Sequence, residues 1–135
     1  MIENMNTVLI IGLIFAGISA AIHILIAYME MYAWKGSLAR KIFGGTPEEA
    51  EPFTFYAYNQ GLYNLFLAIE VIAGIIVTLF AQYTIGGTLM IAGVASMTAA
   101  AIGLVLKDNS YQAAAFKQGT FPAFALVFVI IGLLL

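Results

Sequence analysis

The chain has no cysteine, one histidine, three prolines and five basic residues among its 135 positions. Without cysteine there is neither a disulfide framework nor a thiolate metal site. A single histidine with scattered carboxylates falls short of a metal ligand set, so no metal and no cofactor are expected. Charge is scarce as well: 9% of residues are charged against 63% hydrophobic, and the mean hydropathy is +1.01. That leaves too little polar surface to cover a water-soluble domain. The net charge of −2 supplies no basic patch for nucleic acid.

What is abundant is long apolar sequence, and the lipid bilayer is therefore the expected surroundings. Crossing roughly 30 Å of hydrocarbon takes about 20 apolar residues as a helix, and the chain offers four such runs, at about 7–34, 54–80, 85–106 and 112–135. The expected fold is all-α: an integral membrane antiparallel four-helix bundle formed as one domain over 1–135. The opening "MIENMNTVLI" has no positive charge, and the apolar run from Thr7 to Trp34 exceeds the roughly 7–15 residues of a signal-peptide core. It reads as a first span.

Between the first two spans lies "KGSLARKIFGGTPEEAEPF", polar and punctuated by Gly44-Gly45. Thr46-Pro47-Glu48-Glu49 places a capping residue, a proline at the first helical position and a glutamate at the third, which predicts a short interfacial helix opening with a capping box. Pro52 is expected to separate or kink that helix from the second span. Pro122 predicts a kink near the first turns of the fourth. Lys35, Arg40 and Lys41 fall in the first connection, and Lys107 and Lys117 flank the third. The positive-inside bias then predicts a multi-pass protein of the cell membrane with the first and third connections cytoplasmic and both termini outside. Trp34, Tyr32 and Tyr56 cluster near the same boundary, where aromatic rings anchor spans.

Polar residues inside these spans are the candidate functional groups. His23 and Glu30 are seven residues apart, two helical turns, so they share a face at depths roughly 10 Å apart. Aligning Trp34 with Tyr56 puts Gln60 level with Glu30, Asn64 near Ala27 and Leu67 near His23. The second span carries "YAYNQGLYN", so Asn59, Gln60, Tyr63 and Asn64 present amides and a hydroxyl over a broad arc between those depths. The expected arrangement is one polar column, with His23 and Glu30 at its ends and amides between them, reached by Gln118 from the fourth span. Small residues on the His23 face (Gly12, Ala16, Ala20, Ala27) and on the third span (Gly93, Ser96, Ala100, Gly103) would let helices approach closely in lipid.

The pattern His23…Glu30-Met31-Tyr32…Trp34, Phe43-Gly44, Asn59-Gln60-Gly61-Leu62-Tyr63-Asn64 and Gln118-Gly119…Pro122-Ala123 resembles a small bacterial four-span family catalogued as domain of unknown function 1304. The likeness covers nearly the whole chain, and "NQGLYN" is its most specific element. It implies a four-helix integral membrane protein whose polar residues match those above, and no established activity. Glu70, in "LAIEVIAG", stands where the resemblance implies an apolar or small residue.

Each polar residue also has a purely structural reading. His23 can be a neutral imidazole bonded to a neighbouring helix, Glu30 can snorkel or pair with Lys35 or Arg40, and the amides can be interhelical glue. Glu70 can be a carboxylic acid within the bundle or a residue facing another protomer, which would make the protein a homo-oligomer. Three functional classes follow. The favoured one is a protein that binds or transports a small amphipathic or cationic molecule in a cytoplasm-facing pocket of His23, Glu30, Asn59, Gln60, Tyr63, Asn64 and Gln118, with proton coupling. The alternatives are an enzyme acting on a lipid or apolar substrate with His23 and Glu30 as acid and base, and a structural or accessory subunit.

Overall fold

The computed structural model describes residues 5–135, which form helices and turns and no strand. Four helices are long and apolar enough to cross a membrane: α1 (Thr7–Met31), α4 (Thr54–Leu79), α5 (Tyr83–Lys107) and α6 (Gln112–Leu134). Two short helices, α2 (Ser37–Phe43) and α3 (Pro47–Ala50), lie in the first connection. α1 packs on α4 and α6, α5 packs on the same two, and α1 faces α5 diagonally. This is the antiparallel four-helix bundle of a multi-pass membrane protein.

Glycines set how closely each pair of helices approaches, and they do so differently at the two ends. At the end away from the basic connections, a Cβ on Gly132 would lie 2.6 Å from Leu9 Cα, and one on Gly12 would lie 2.8 Å from the Val129 nitrogen. There α1 and α6 meet backbone to backbone. Gly74 and Gly86 do the same for α4 and α5, with a Cβ on Gly74 2.7 Å from the Met90 nitrogen. The apolar core fills this half and the middle, from Leu9 and Leu13 through Met90 and Val94 to Val129. Toward the basic end the close glycine contacts fall instead within the pairs α1–α4, at Gly61 on Ala27 and Glu30, and α5–α6, at Gly119 on Ala101. The two pairs are joined tightly at one end and part at the other, and a cavity lies between them there.

Gly12, Ala16, Ala20 and Ala27 are all buried, as their common face predicts. The stripe expected on the third span is corrected: Gly93 is buried against Val71, whereas Ser96, Ala100 and Gly103 are exposed, and a Cβ on Gly103 would meet nothing within 4 Å. Small size alone does not choose a face. The inner face of α5 runs through Gly86, Met90, Gly93, Val94, Met97 and Ala101, and the large methionines hold it there.

The first connection is more ordered than its polarity suggests. α1 stops at Met31, and Trp34 Nε1 then donates to the Ala50 carbonyl at 2.9 Å. Arg40 Nε donates to the Trp34 carbonyl at 3.1 Å, and its guanidinium stacks 4.3 Å from the Trp34 ring centre. Ala39, Ile42 and Phe43 of α2 pack on Ile26 and Met29 of α1. Gly44 and Gly45 take positive φ of 83° and 74° and turn the chain into α3. The Thr46–Glu49 capping box is formed in both directions: the Glu49 nitrogen donates to Thr46 Oγ1, and the Thr46 nitrogen to Glu49 Oε2. Lys35 pairs with Glu51. Pro52 lies in a 3-10 turn, Glu51–Phe53, that leads directly into α4. Pro122 stands deeper in α6 than its first turns and is buried; having no N–H, it leaves the Gln118 carbonyl without its usual helical donor. Asp108, between α5 and α6, accepts the Ser110 N–H at 2.9 Å, which holds its carboxyl below the usual range.

Candidate functional site

The cavity at the basic end has a volume of about 510 Å³. α1 brings His23 and Glu30 to it, α4 brings Gln60 and Asn64, and α6 brings Gln118. Glu30 is buried, at 8% exposure, and Asn64 Nδ2 donates to its Oε2 at 2.7 Å. Gly61 makes that contact possible. Having no side chain, it lets α4 lie directly on Ala27 and Glu30, and Asn64, three residues on, reaches the carboxylate from the same side.

His23 is 3% exposed, and its Nδ1 lies 2.9 Å from the Ser19 carbonyl one turn back on α1. A carbonyl only accepts, so Nδ1 carries the proton, and the neutral ring's Nε2 is an acceptor. α1 thus offers two acceptors to the cavity, a carboxylate oxygen that Asn64 does not engage and the imidazole Nε2, beside the amides of Gln60, Asn64 and Gln118, which both donate and accept. Opposite them α5 contributes Met97, Ala100 and Leu104, a wall of hydrocarbon. Trp34, Arg40 and Phe43 close the basic end from the first connection.

Two parts of the expected column are corrected. His23 is not tied to Glu30 through amides, because its donor is spent on its own helix and Asn64 bonds Glu30. Asn59 and Tyr63 do not line the cavity; both are exposed, Tyr63 at 60%. Residues 59, 60, 63 and 64 span about 140° of a helix, more than one face can turn to the cavity; Asn64 is half-buried there, and Gln60, itself exposed, also lines it. Nor does Glu30 pair with Lys35 or Arg40, which are held by Glu51 and by backbone carbonyls. Trp34, Arg40 and Phe43 went unread in the sequence as cavity residues. Their signal was present in Gly36 before and Gly44 after "SLARKIF", with Arg40 and Lys41 in its last turn, the marks of a short helix with defined ends.

Among the described residues no group of three or more His, Asp or Glu side chains converges on a point that could hold a metal ion. Neither a curated protein nor a solved structure matches the chain. A family model described as "Protein of unknown function (DUF1304)" matches residues 17–130, a stretch that holds every cavity residue from His23 to Gln118, and the chain belongs to that family.

Proposed function

We propose that this protein binds a small amphipathic amine in the cavity between its helix pairs and exchanges it for a proton on Glu30, as a transporter does. The observation that carries the reading is the two-sided wall: the Glu30 carboxylate held by Asn64, with His23 beside it on α1, facing the hydrocarbon of α5. Acceptors on one side and apolar surface on the other favour a ligand with an N–H-bearing head and an apolar body. Trp34 is the one tryptophan of the chain and lines this cavity, so its emission reports occupancy. With the protein in lipid nanodiscs, hexylamine is expected to change Trp34 emission saturably, and hexanol is not. Identical, unsaturable responses to both would reject the reading.

The positive-inside bias of the basic connections supports an orientation with the cavity's mouth toward the cytoplasm. Single cysteines replacing Ser37 or Ser110, both exposed at that end, are expected to resist an impermeant thiol reagent in intact cells, whereas Gln82→Cys, exposed at the other end, reacts. The reverse labelling pattern would overturn the orientation.

A further inference from the structure

Glu70 is the membrane-embedded acid that the cavity does not use. It stands near the middle of α4, half-buried, and neither an ion pair nor a hydrogen bond among the described residues engages it. The inner face of α4 is marked by Ala57, Gly61, Ala68, Val71, Gly74 and Thr78. About 100° around the helix from Val71 runs a second line: Asn59, Tyr63, Phe66, Glu70, Ala73 and Val77, at steps of 4, 3, 4, 3 and 4. Tyr63 and Phe66 are 60% and 59% exposed. Steps of 3 and 4 follow any face of a helix and suit the seam of a left-handed helix pair; what sets this face apart is that it carries Glu70 and Asn59. Lipid tails can neither donate to nor accept from the Glu70 carboxyl, so this group near the middle of the span calls for a protein partner within the bilayer.

We propose that the seam is a homodimer interface, with two α4 helices packed in parallel about a twofold axis along the membrane normal. Two copies inserted in the same orientation hold α4 in the same direction and at the same depth. Every layer of the seam then meets its own copy, Glu70 on Glu70 and Asn59 on Asn59. A carboxylic acid and a carboxamide each donate and accept, so both layers are self-complementary, whereas a partner of different sequence would need matching groups at two set depths. Polar layers within an apolar seam also fix its register. Beside the seam, α5 turns Ala92 and Ser96 outward, small enough for the second α4 to come close.

The absence of native cysteine makes the test direct. Ala73→Cys and Val77→Cys lie on the seam; Ile69→Cys and Ile76→Cys, on exposed positions of the same helix, lie off it. Mild oxidation of native membranes is expected to give disulfide-linked dimers at the first two positions and not at the second two. In the Ala73→Cys background, Glu70→Leu is expected to lower dimer yield by about fivefold, with the helical content of the purified variant equal to the parent's. Glu70→Gln, whose amide still pairs with itself, retains the dimer. Equal cross-linking at Ile69 and Ile76, no dimer at any position, or an undiminished yield in Glu70→Leu would each overturn the proposal.

Discussion

Gly86→Ala is expected to lower the unfolding midpoint in detergent micelles sharply, although it adds one methyl group and improves intrinsic helix propensity. The new Cβ would lie 2.5 Å from the Thr78 nitrogen and 2.7 Å from the Gly74 carbonyl oxygen, and would strike Thr78 Oγ1 as well. Two of these neighbours are backbone atoms, which cannot rotate away, so α5 must move off α4. Overpacking typically costs about 1–3 kcal/mol, and with backbone on both sides the upper end is expected. Gly103→Ala is the matched control. It lies in the same helix, its Cβ would meet nothing within 4 Å, and the loss of a helical glycine should stabilise by roughly 0.5–1 kcal/mol. The two substitutions should therefore move the midpoint in opposite directions, read by circular dichroism during heating. Equal shifts would show that α4 and α5 are not held by this contact.

Glu30→Gln is expected to abolish the pH dependence of amine binding and to weaken it by one to two orders of magnitude. An ammonium on a carboxylate makes a charge-assisted hydrogen bond, about 1.5–3 kcal/mol stronger than none, and a glutamine keeps the shape without the charge. The contact from Asn64 survives, because the glutamine carbonyl can accept the same Nδ2–H that Glu30 Oε2 accepts at 2.7 Å. Fold stability should thus barely change. The sign with pH follows from competition: a proton and the ammonium occupy the same carboxylate, so binding to the parent protein strengthens as pH rises through the ionisation of Glu30, and each bound amine displaces a proton. In the glutamine variant the isotherm should be flat over that range. Asn64→Leu removes the donor that holds the carboxylate in place and should weaken hexylamine binding while leaving its pH dependence. If both variants leave the Trp34 titration unchanged, the cavity has no part in amine binding and the Asn64–Glu30 contact is only packing.

Much of this was legible in the residues. A chain with so little charge has no stable fold in water, and placing polar side chains in a span is costly enough that His23, Glu30, Gln60, Asn64 and Gln118 stood out without any structure. The Thr46–Glu49 box was equally plain, since its two hydrogen bonds depend only on neighbours within one turn. Periodicity likewise put Gly12, Ala16, Ala20 and Ala27 on one buried face.

The rotation of each helix about its own axis was not in the sequence, because it depends on what the opposite helix presents. Asn59, Gln60, Tyr63 and Asn64 were one broad arc until Gly61 docked on Ala27 and Glu30, sending two of them into the cavity and leaving two on the outer surface. His23 could turn to its own helix or to the next, and the structure shows its Nδ1–H donating to the Ser19 carbonyl one turn back. The cavity itself follows from where glycines let helices close up: α1 to α6 and α4 to α5 at one end, α1 to α4 and α5 to α6 at the other. Composition and local spacing determined that the chain crosses a membrane four times and which side chains are too polar for lipid. Contacts between residues distant in the chain, made where a missing side chain lets two backbones touch, decided which of those side chains meet.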